Sequence, residues 1–396
     1  MQANELLDLV FRWAHLIAGI MWIGNSMLFN WLDRNLIAPP ADDAHRLSQG
    51  RIYMVHSGAF YEVEKKLLEP NQLPDQLHWF KWQNFATWAT GISLLVIVYY
   101  FNDAAFLVDP SVRAMSQGEA IGWSAGSLVL GWLVYDTIWM TLGKRAPALG
   151  TVLSFALLFG AAYGFTLLFS GRAAYIQTGV LIGTVMTGNV WMRILPSQRS
   201  LIAATKAGKE QDATLSIRAK QRSIHNNYLT FPLLFIMISN HFPSTYGHHL
   251  NWLVLFAVMI GGAGVRHFMN VRYAGKVWLL PAFAMAGIGL GGTMLVTRLE
   301  EAPAVVHDGQ VTFARAQEII VARCTSCHSA RPSDATFPVA PGNIVFDTAE
   351  RIQAMASRIK DRAVVNKTMP FLNKTQMTDA ERAELGAWVD QGAKLQ

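Results

Sequence analysis

Close to the C-terminus stands Cys324-Thr325-Ser326-Cys327-His328. It reads C-x-x-C-H, the attachment signature of a c-type haem. Two thiols spaced by two residues match the two porphyrin vinyl groups, and the adjacent imidazole reaches the iron. The chain has 2 cysteines, and both lie in this motif. A zinc site would need two more Cys or His ligands at matching spacing. A thioredoxin-like redox pair would need a βαβ pattern around it. Neither accompanies the motif. Haem is attached covalently outside the cytoplasmic membrane, so this end of the chain is expected to be periplasmic, and the rest can be oriented from it.

The 396 residues are 52% hydrophobic and only 15% charged, with 13 tryptophans. That is too apolar for an ordinary soluble protein and fits a multi-pass membrane protein with a soluble tail. The net charge of +6 does not point to nucleic acid. Residues 1–299 contribute +7 and residues 300–396 contribute −1, so the basic excess belongs to the membrane part. The first apolar run starts with polar and acidic residues and continues too long for a cleavable signal peptide.

Eight apolar segments have spanning length: 5–31, 84–102, 119–142, 148–169, 173–195, 225–241, 250–268 and 277–298. Each is expected to be helical, because lipid leaves backbone polar groups no partner outside the segment. Pro232 and Pro281 are expected to kink spans six and eight or to mark a polar cavity. With the C-terminus outside and eight spans, the N-terminus also lies outside. The inner connections, counted with Arg193 and Arg266 at the span ends, then carry 18 Lys and Arg against two outside, Arg113 and Arg172. The positive-inside rule asks for this asymmetry. The long 33–83 connection reads as an amphipathic interfacial segment, or else as part of an inner-face site through His56 and Tyr61. The basic 197–223 connection, Arg222 included, reads as a solvated helix.

Residues 299–311 read as a linker and 312–396 as a separate domain. A short helix over 312–323 leads into the haem motif. Met369-Pro370 follows His328 by 41 positions. Thr378-Asp379-Ala380-Glu381 is a capping box. It opens a last helix with Leu385, Trp388 and Val389 on one face. This domain resembles a class I cytochrome c. The resemblance makes Met369 the distal iron ligand opposite His328, and a thioether there favours ferrous iron. Met355 and Met377 are left core or surface roles.

Ionisable and amide side chains inside spans are functional hypotheses by default. Arg12 and His15 share one face of span one. Such a histidine is a candidate ligand for a second, non-covalent haem b, with Arg12 on a propionate and His241 as the partner ligand. Asp136 lies in span three beside Tyr135 and Trp139. Asn189, Trp191 and Arg193 end span five. His225, Asn226, Asn227 and Thr230 begin span six, Asn240 and His241 close it, and Arg266, His267 and Asn270 end span seven. Interhelical glue for the amides and snorkelling for Arg193 and Arg266 are the alternatives.

The stretches Arg12-Trp13-Ala14-His15-Leu16, Trp22-Ile23-Gly24-Asn25-Ser26, Thr187-Gly188-Asn189-Val190-Trp191-Met192, Asn226-Asn227-Tyr228-Leu229-Thr230 and Ile238-Ser239-Asn240-His241-Phe242-Pro243, with eight spans and a C-terminal cytochrome c, resemble the membrane-bound cytochrome c urate oxidases of bacteria. The resemblance covers nearly the whole chain. It implies an all-α fold: an eight-helix transmembrane bundle (1–298) in the inner membrane, with a periplasmic haem c domain. It also implies oxidation of urate to 5-hydroxyisourate. The electrons would go through haem c to a periplasmic carrier or terminal oxidase rather than to oxygen, without hydrogen peroxide.

Urate is a planar anion, so its site wants a cation, amides and a stacking ring. Two sets meet that need. An inner set is Asn189, Arg193, Asn226, Asn227, Thr230, Arg266 and His267. An outer set is Arg12, His15, Asn240 and His241. The inner set requires an electron relay across roughly 30 Å of hydrocarbon, the role expected of haem b. Rival readings are a respiratory subunit fed by quinol or a dehydrogenase, and a transporter with a regulatory cytochrome.

Overall fold

The computed structural model describes residues 3–38, 48–66, 68–69, 72–101, 106–110, 112–209, 212–272, 277–298, 309–365 and 367–395. The expected linker therefore lies, through Asp308, outside the described residues. Each of the eight apolar segments is helical. The first four are α1 (Ala3–Asn35), α2 (Trp82–Leu94), α3 (Gln117–Thr141) and α4 (Pro147–Thr166). The others are α5 (Gly171–Asn189), running on through α6 (Leu195–Lys206), then α7 (Ala213–Ser239), α9 (Asn251–Val271) and α10 (Leu279–Val296). A short α8 (Pro243–Tyr246) joins α7 to α9. Four of these helices are long and apolar enough to cross a membrane: Leu6–Asn35, Pro147–Thr166, Asn251–Val271 and Leu279–Val296. Their large side chains face outward; Trp13 is 67% and Leu290 71% exposed. An apolar exterior of this kind is compatible with lipid and unfavourable in water.

Helix α5 is the axis of the bundle. It touches α2, α3, α4 and α7, and Ala173, Ala174, Tyr175, Gln177 and Ile182 on it are almost fully buried. Small residues let backbones approach where helices cannot gain from excluding water. At the α9–α10 contact, a Cβ on Gly261 would come within 2.8 Å of the Gly289 Cα. In the bundle two helices widen into π turns, Leu95–Tyr100 after α2 and Val190–Ile194 after α5. Such turns re-aim the side chains that follow and recur at functional sites.

Three expectations are corrected. The all-α expectation fails in the 33–83 connection. This connection holds an antiparallel hairpin, β1 (Ser48–His56) and β2 (Ala59–Lys66), paired in register from Gly50–Lys65 to His56–Ala59. Ser57 and Gly58 take φ of 52° and 77°, the left-handed pair that a two-residue hairpin turn requires. Aromatic and β-branched residues on both sides of Ser57-Gly58 favour strand. The fold is thus mostly helical rather than purely so. Pro281 falls in the first turn of α10, where its missing N–H costs nothing; Pro232 alone sits inside a helix. Helix α7 begins twelve residues before the apolar segment, and Arg222 on this extension is buried, 3% exposed.

Residues 311–393 pack round their own core, which includes Ile319, Ile320, Ile352, Leu385 and Trp388. Helix α11 (Phe313–Arg323) meets the last helix, α14 (Asp379–Asp390), and the Phe313 and Trp388 rings lie 5.9 Å apart. Between them run α12 (Ala349–Ala354) and α13 (Ala356–Ile359). The Thr378–Glu381 capping box is present.

Gly261→Leu should force α9 from α10 and lower the stability of the detergent-purified protein by about 1–3 kcal/mol. Gly287→Leu, where nothing lies within 4 Å of the added Cβ, should leave the melting temperature unchanged. Equal shifts for the two would show that the close approach is absent.

Candidate functional site

Helices α3, α5 and α7 each place polar side chains at one point in the bundle. Asp136 on α3 accepts from Arg193 Nε at 2.9 Å and from Arg222 Nη2 at 2.7 Å, and Arg193 Nη2 closes on its other oxygen. The π turn after Asn189 carries Arg193 to this carboxylate. Arg222 and Asn226 lie four apart on α7, hence on one face. The Arg222 guanidinium also stands 4.9 Å from the centre of the Tyr135 ring. Asn189 Nδ2 donates to Asn226 Oδ1 at 2.9 Å and to the Tyr135 hydroxyl at 3.1 Å. Tyr135 shares a 2.7 Å hydrogen bond with His225 Nδ1. The pattern that uses every group has Tyr135 donate and His225 accept. Trp139 packs on His225 with ring centres 4.1 Å apart.

One carboxylate between two guanidiniums leaves excess positive charge in a buried place. Within the cluster Arg222 Nη1 and Asn189 Oδ1 are buried and have no hydrogen-bond partner. Groups of this kind cost about 1–3 kcal/mol each when left unsatisfied, so such a pair marks a place where a further polar group belongs. Two cavities flank the cluster. The larger, about 790 Å³, is apolar except where Ser127, Tyr135, Thr151, Ser154, Gln221, His225 and Tyr228 reach its wall. The smaller, about 180 Å³, is lined by Arg193, Arg218 and Arg222 beside Trp139 and Gln221. A concave site with a few convergent polar groups is where a ligand is expected.

The inner set divides at α7. Asn189, Arg193 and Asn226 join the cluster. Asn227 faces the other way and accepts from Arg266 Nε at 3.0 Å and Asn270 Nδ2 at 2.8 Å. This second group ties α7 to α9, and Arg34 reaches it through the Asn270 carbonyl at 3.2 Å. Arg266 is buried, 5% exposed, so it does not snorkel. Thr230 bonds its own helix, to the Asn226 carbonyl. His267 is exposed and pairs with the Tyr228 hydroxyl at 2.8 Å. His56 and Tyr61 are exposed on the hairpin.

The outer set comes together only in part: Arg12 and Asn240 both act on the buried Tyr99 hydroxyl, while His15 and His241 stand apart. Arg12 is exposed and pairs with Asp8 at 2.6 Å. His15 Nδ1 donates to the Thr87 carbonyl at 2.9 Å, with Thr90 Oγ1 at 3.0 Å, and its ring lies against Gly91 on α2. His241 is exposed, and among the described residues nothing joins it to His15. Asn240 instead accepts from Arg172 Nε at 3.1 Å. Among the described residues no three His, Cys, Asp or Glu side chains converge as for a metal ion. Sequence reasoning missed Arg222, whose position four before Asn226 was the available signal. It also missed Arg172 and Tyr99, which only tertiary packing brings together.

In the C-terminal unit Cys324 caps α11 and His328 follows one turn later. Burial pushes the Cys324 thiol up to about 12 and raises that of Cys327. Burial also pulls the His328 imidazole below its ordinary value, against the hydrogen bond to Ile344, which raises it. His328 Nδ1 donates to the Ile344 carbonyl at 3.0 Å. That bond fixes the tautomer and leaves Nε2 free to bind a metal. Met369 sits on a loop held by its N–H to the Arg362 carbonyl (2.9 Å) and by Arg382, which donates to the Met369 carbonyl at 2.7 Å. Met377 is buried in the core and Met355 packs against it. Two neutral thiols, a presented imidazole nitrogen and a loop thioether suit a covalently attached haem iron.

No curated protein and no solved structure matches the chain. A family model described as urate oxidase N-terminal matches residues 1–297, about three quarters of the length and every residue of the Asp136 cluster. By that match the chain belongs to the urate oxidase N-terminal family.

Proposed function

We propose that the helical bundle lies in a membrane as eight spans, oxidises urate beside the Asp136 cluster, and delivers the electrons to a haem c on residues 312–396. The balanced half-reaction is urate plus water giving 5-hydroxyisourate, two electrons and two protons. One observation carries the reading. The residues that match the family hold a buried cluster with excess positive charge, a free guanidinium nitrogen and a free amide oxygen. That set complements a planar anion bearing both carbonyl oxygens and ring N–H groups.

The basic cavity at Arg193, Arg218 and Arg222 is the route for the anion. Arg222 Nη1 donates to a urate oxygen, and Asn189 Oδ1 accepts from a ring N–H. Tyr135 relays a proton to His225 Nδ1 along their shared hydrogen bond, so the base is assembled before substrate arrives. The apolar cavity wall keeps bulk water from the oxidised ring and strengthens each polar contact. Cys324 and Cys327 would hold the haem through thioethers, and His328 and Met369 would be the residues that bind its iron. When bound, haem c would supply a one-electron acceptor that is used twice for each urate, with its reoxidation by a periplasmic carrier or terminal oxidase. Oxygen takes no part and no hydrogen peroxide is formed.

Urate added anaerobically to the oxidised, detergent-purified protein should bring up the bands of a reduced c-type haem. Reduction by a quinol with none by urate would overturn the reading in favour of a respiratory subunit. Arg222→Lys keeps the charge but loses the planar fork, and it should lower kcat/KM for urate by about 100-fold. His267→Ala, outside the cluster, should leave it unchanged. Tyr135→Phe should lower kcat by about 100-fold and alter its pH profile, with little change in KM. A Tyr135→Phe variant that raises KM alone would remove the proton relay.

A further inference from the structure

The helical bundle and the C-terminal unit meet on aromatic rings. Phe106, in the connection between α2 and α3, lies 4.7 Å from Phe371 and 5.9 Å from Phe337, centre to centre, and these two are 5.6 Å apart. Phe371 follows the Met369-Pro370 step, and Phe337 is on the stretch after His328. On the bundle side Phe106 is 6.4 Å from Tyr99, which sits on the π turn and is 4% exposed.

The Phe106 corner is anchored. Ser170 Oγ donates to its carbonyl at 2.9 Å, and Ser170 N–H donates to the next carbonyl, that of Leu107, at 3.1 Å. Leu107 itself is 1% exposed. The Arg172 guanidinium lies 5.3 Å from the Phe106 ring and 6.0 Å from that of Tyr99. Its Nε is tied to Asn240. From the C-terminal unit Arg362 reaches the same place: it and Arg172 both act on Tyr246, whose hydroxyl burial pushes up.

A patch that only glued two units together would need apolar area. It would not need a buried tyrosine in line with it, nor a cation held over the rings. We propose that Tyr99, Phe106 and Phe371 are the electron exit from the bundle, a file of rings ending beside the loop that carries Met369. The inference rests on the proposed urate oxidation for the source of the electrons. In each passage one electron leaves the oxidised substrate and ferric haem iron becomes ferrous. The rings are neither oxidised nor reduced in the net step, and the substrate's protons do not travel with the electrons but are released through Tyr135 and His225. Arg172 is a positioning residue: its cation lies against both rings and holds Tyr99 and Phe106 edge to face.

The test uses the haem-loaded full chain. Phe106→Leu keeps the apolar filling and removes the ring, and Tyr99→Leu does the same one step back. In anaerobic stopped flow each should slow haem reduction by urate at least about tenfold. Direct reduction by dithionite, the haem midpoint potential and urate affinity should all stay as in the unmodified protein. Unchanged urate-driven rates in both variants would overturn the exit and leave these rings a docking patch.

A second measurement needs no substrate. In Phe106→Cys/Phe371→Cys a short bis-maleimide should join the two units, detected after proteolysis between them; the haem thiols are spent as thioethers. Absence of the cross-link would remove the contact itself. If urate fails to reduce haem in the unmodified protein while the cross-link forms, the urate reading falls and the joint stands.

Discussion

Asp136 is the one carboxylate on which three helices depend. Arg193 arrives from the π turn beyond α5 and Arg222 from α7, and both meet it on α3. In a bundle whose exterior is apolar, little hydrophobic gain accompanies the packing of one helix on another. A charged contact inside it therefore fixes which helices meet, and at what depth. Removing the carboxylate would strand the buried Arg222 guanidinium in a place of low dielectric, the costly half of any buried ion pair, whereas Arg193 is only half-buried. The arrangement does not neutralise itself, and the surplus charge is what suits it to the anion of the proposed function as well as to its role as a brace.

The neighbouring polar groups follow from that constraint. Once Arg222 is drawn to Asp136, its guanidinium covers Tyr135, and Asn226 one turn on reaches Asn189. Tyr135, already an acceptor from Asn189, turns its proton to His225. The Asn227–Arg266–Asn270 group on the far side of α7 has its acceptor oxygen filled twice and reads as interhelical glue. The same residue types thus do different work on two faces of one helix, and the free valences lie on only one of them.

Much of this was legible in the chain. Apolar segments of spanning length are expected to be helical, and every one of the eight is helical, four of them long and apolar enough to cross a membrane. The capping box at Thr378 and the core face of Leu385 and Trp388 came from local pattern, which survives folding. The hairpin was hidden because a loop rich in charge and aromatics reads by composition as interfacial, while Ser57-Gly58, its turn, is only two residues. Arg222 was hidden for a different reason. A basic residue before an apolar run counts as a topology signal, and nothing local tells that the helix starts earlier and turns that face inward. Arg12 and His15 show the converse: a shared face on α1 does not decide whether it looks into the bundle, and Asp8 and the Thr87 carbonyl take up the two side chains separately. Asn189, Arg193 and Asn226 were nameable one by one, but their meeting is tertiary.

The depth of the cluster bears on the proposed path of electrons from it. Tyr100, next to Tyr99, bonds Ser124 on α3 at 2.8 Å. Tyr135 lies eleven residues further along the same helix, about 17 Å at the helical rise of ~1.5 Å per residue. The gap from the cluster to the ring file is therefore about half the hydrocarbon thickness of ~30 Å. Trp132, with its ring 6.1 Å from that of Tyr135, narrows it further. A gap of that size removes the distance argument for a haem b at His15, since that argument assumed a site at the far surface. It also explains why a fused acceptor suits this fold. With the C-terminal unit seated on Phe106, the proposed electron step out of the bundle would be intramolecular, its rate set by ring contacts rather than by diffusion of a partner.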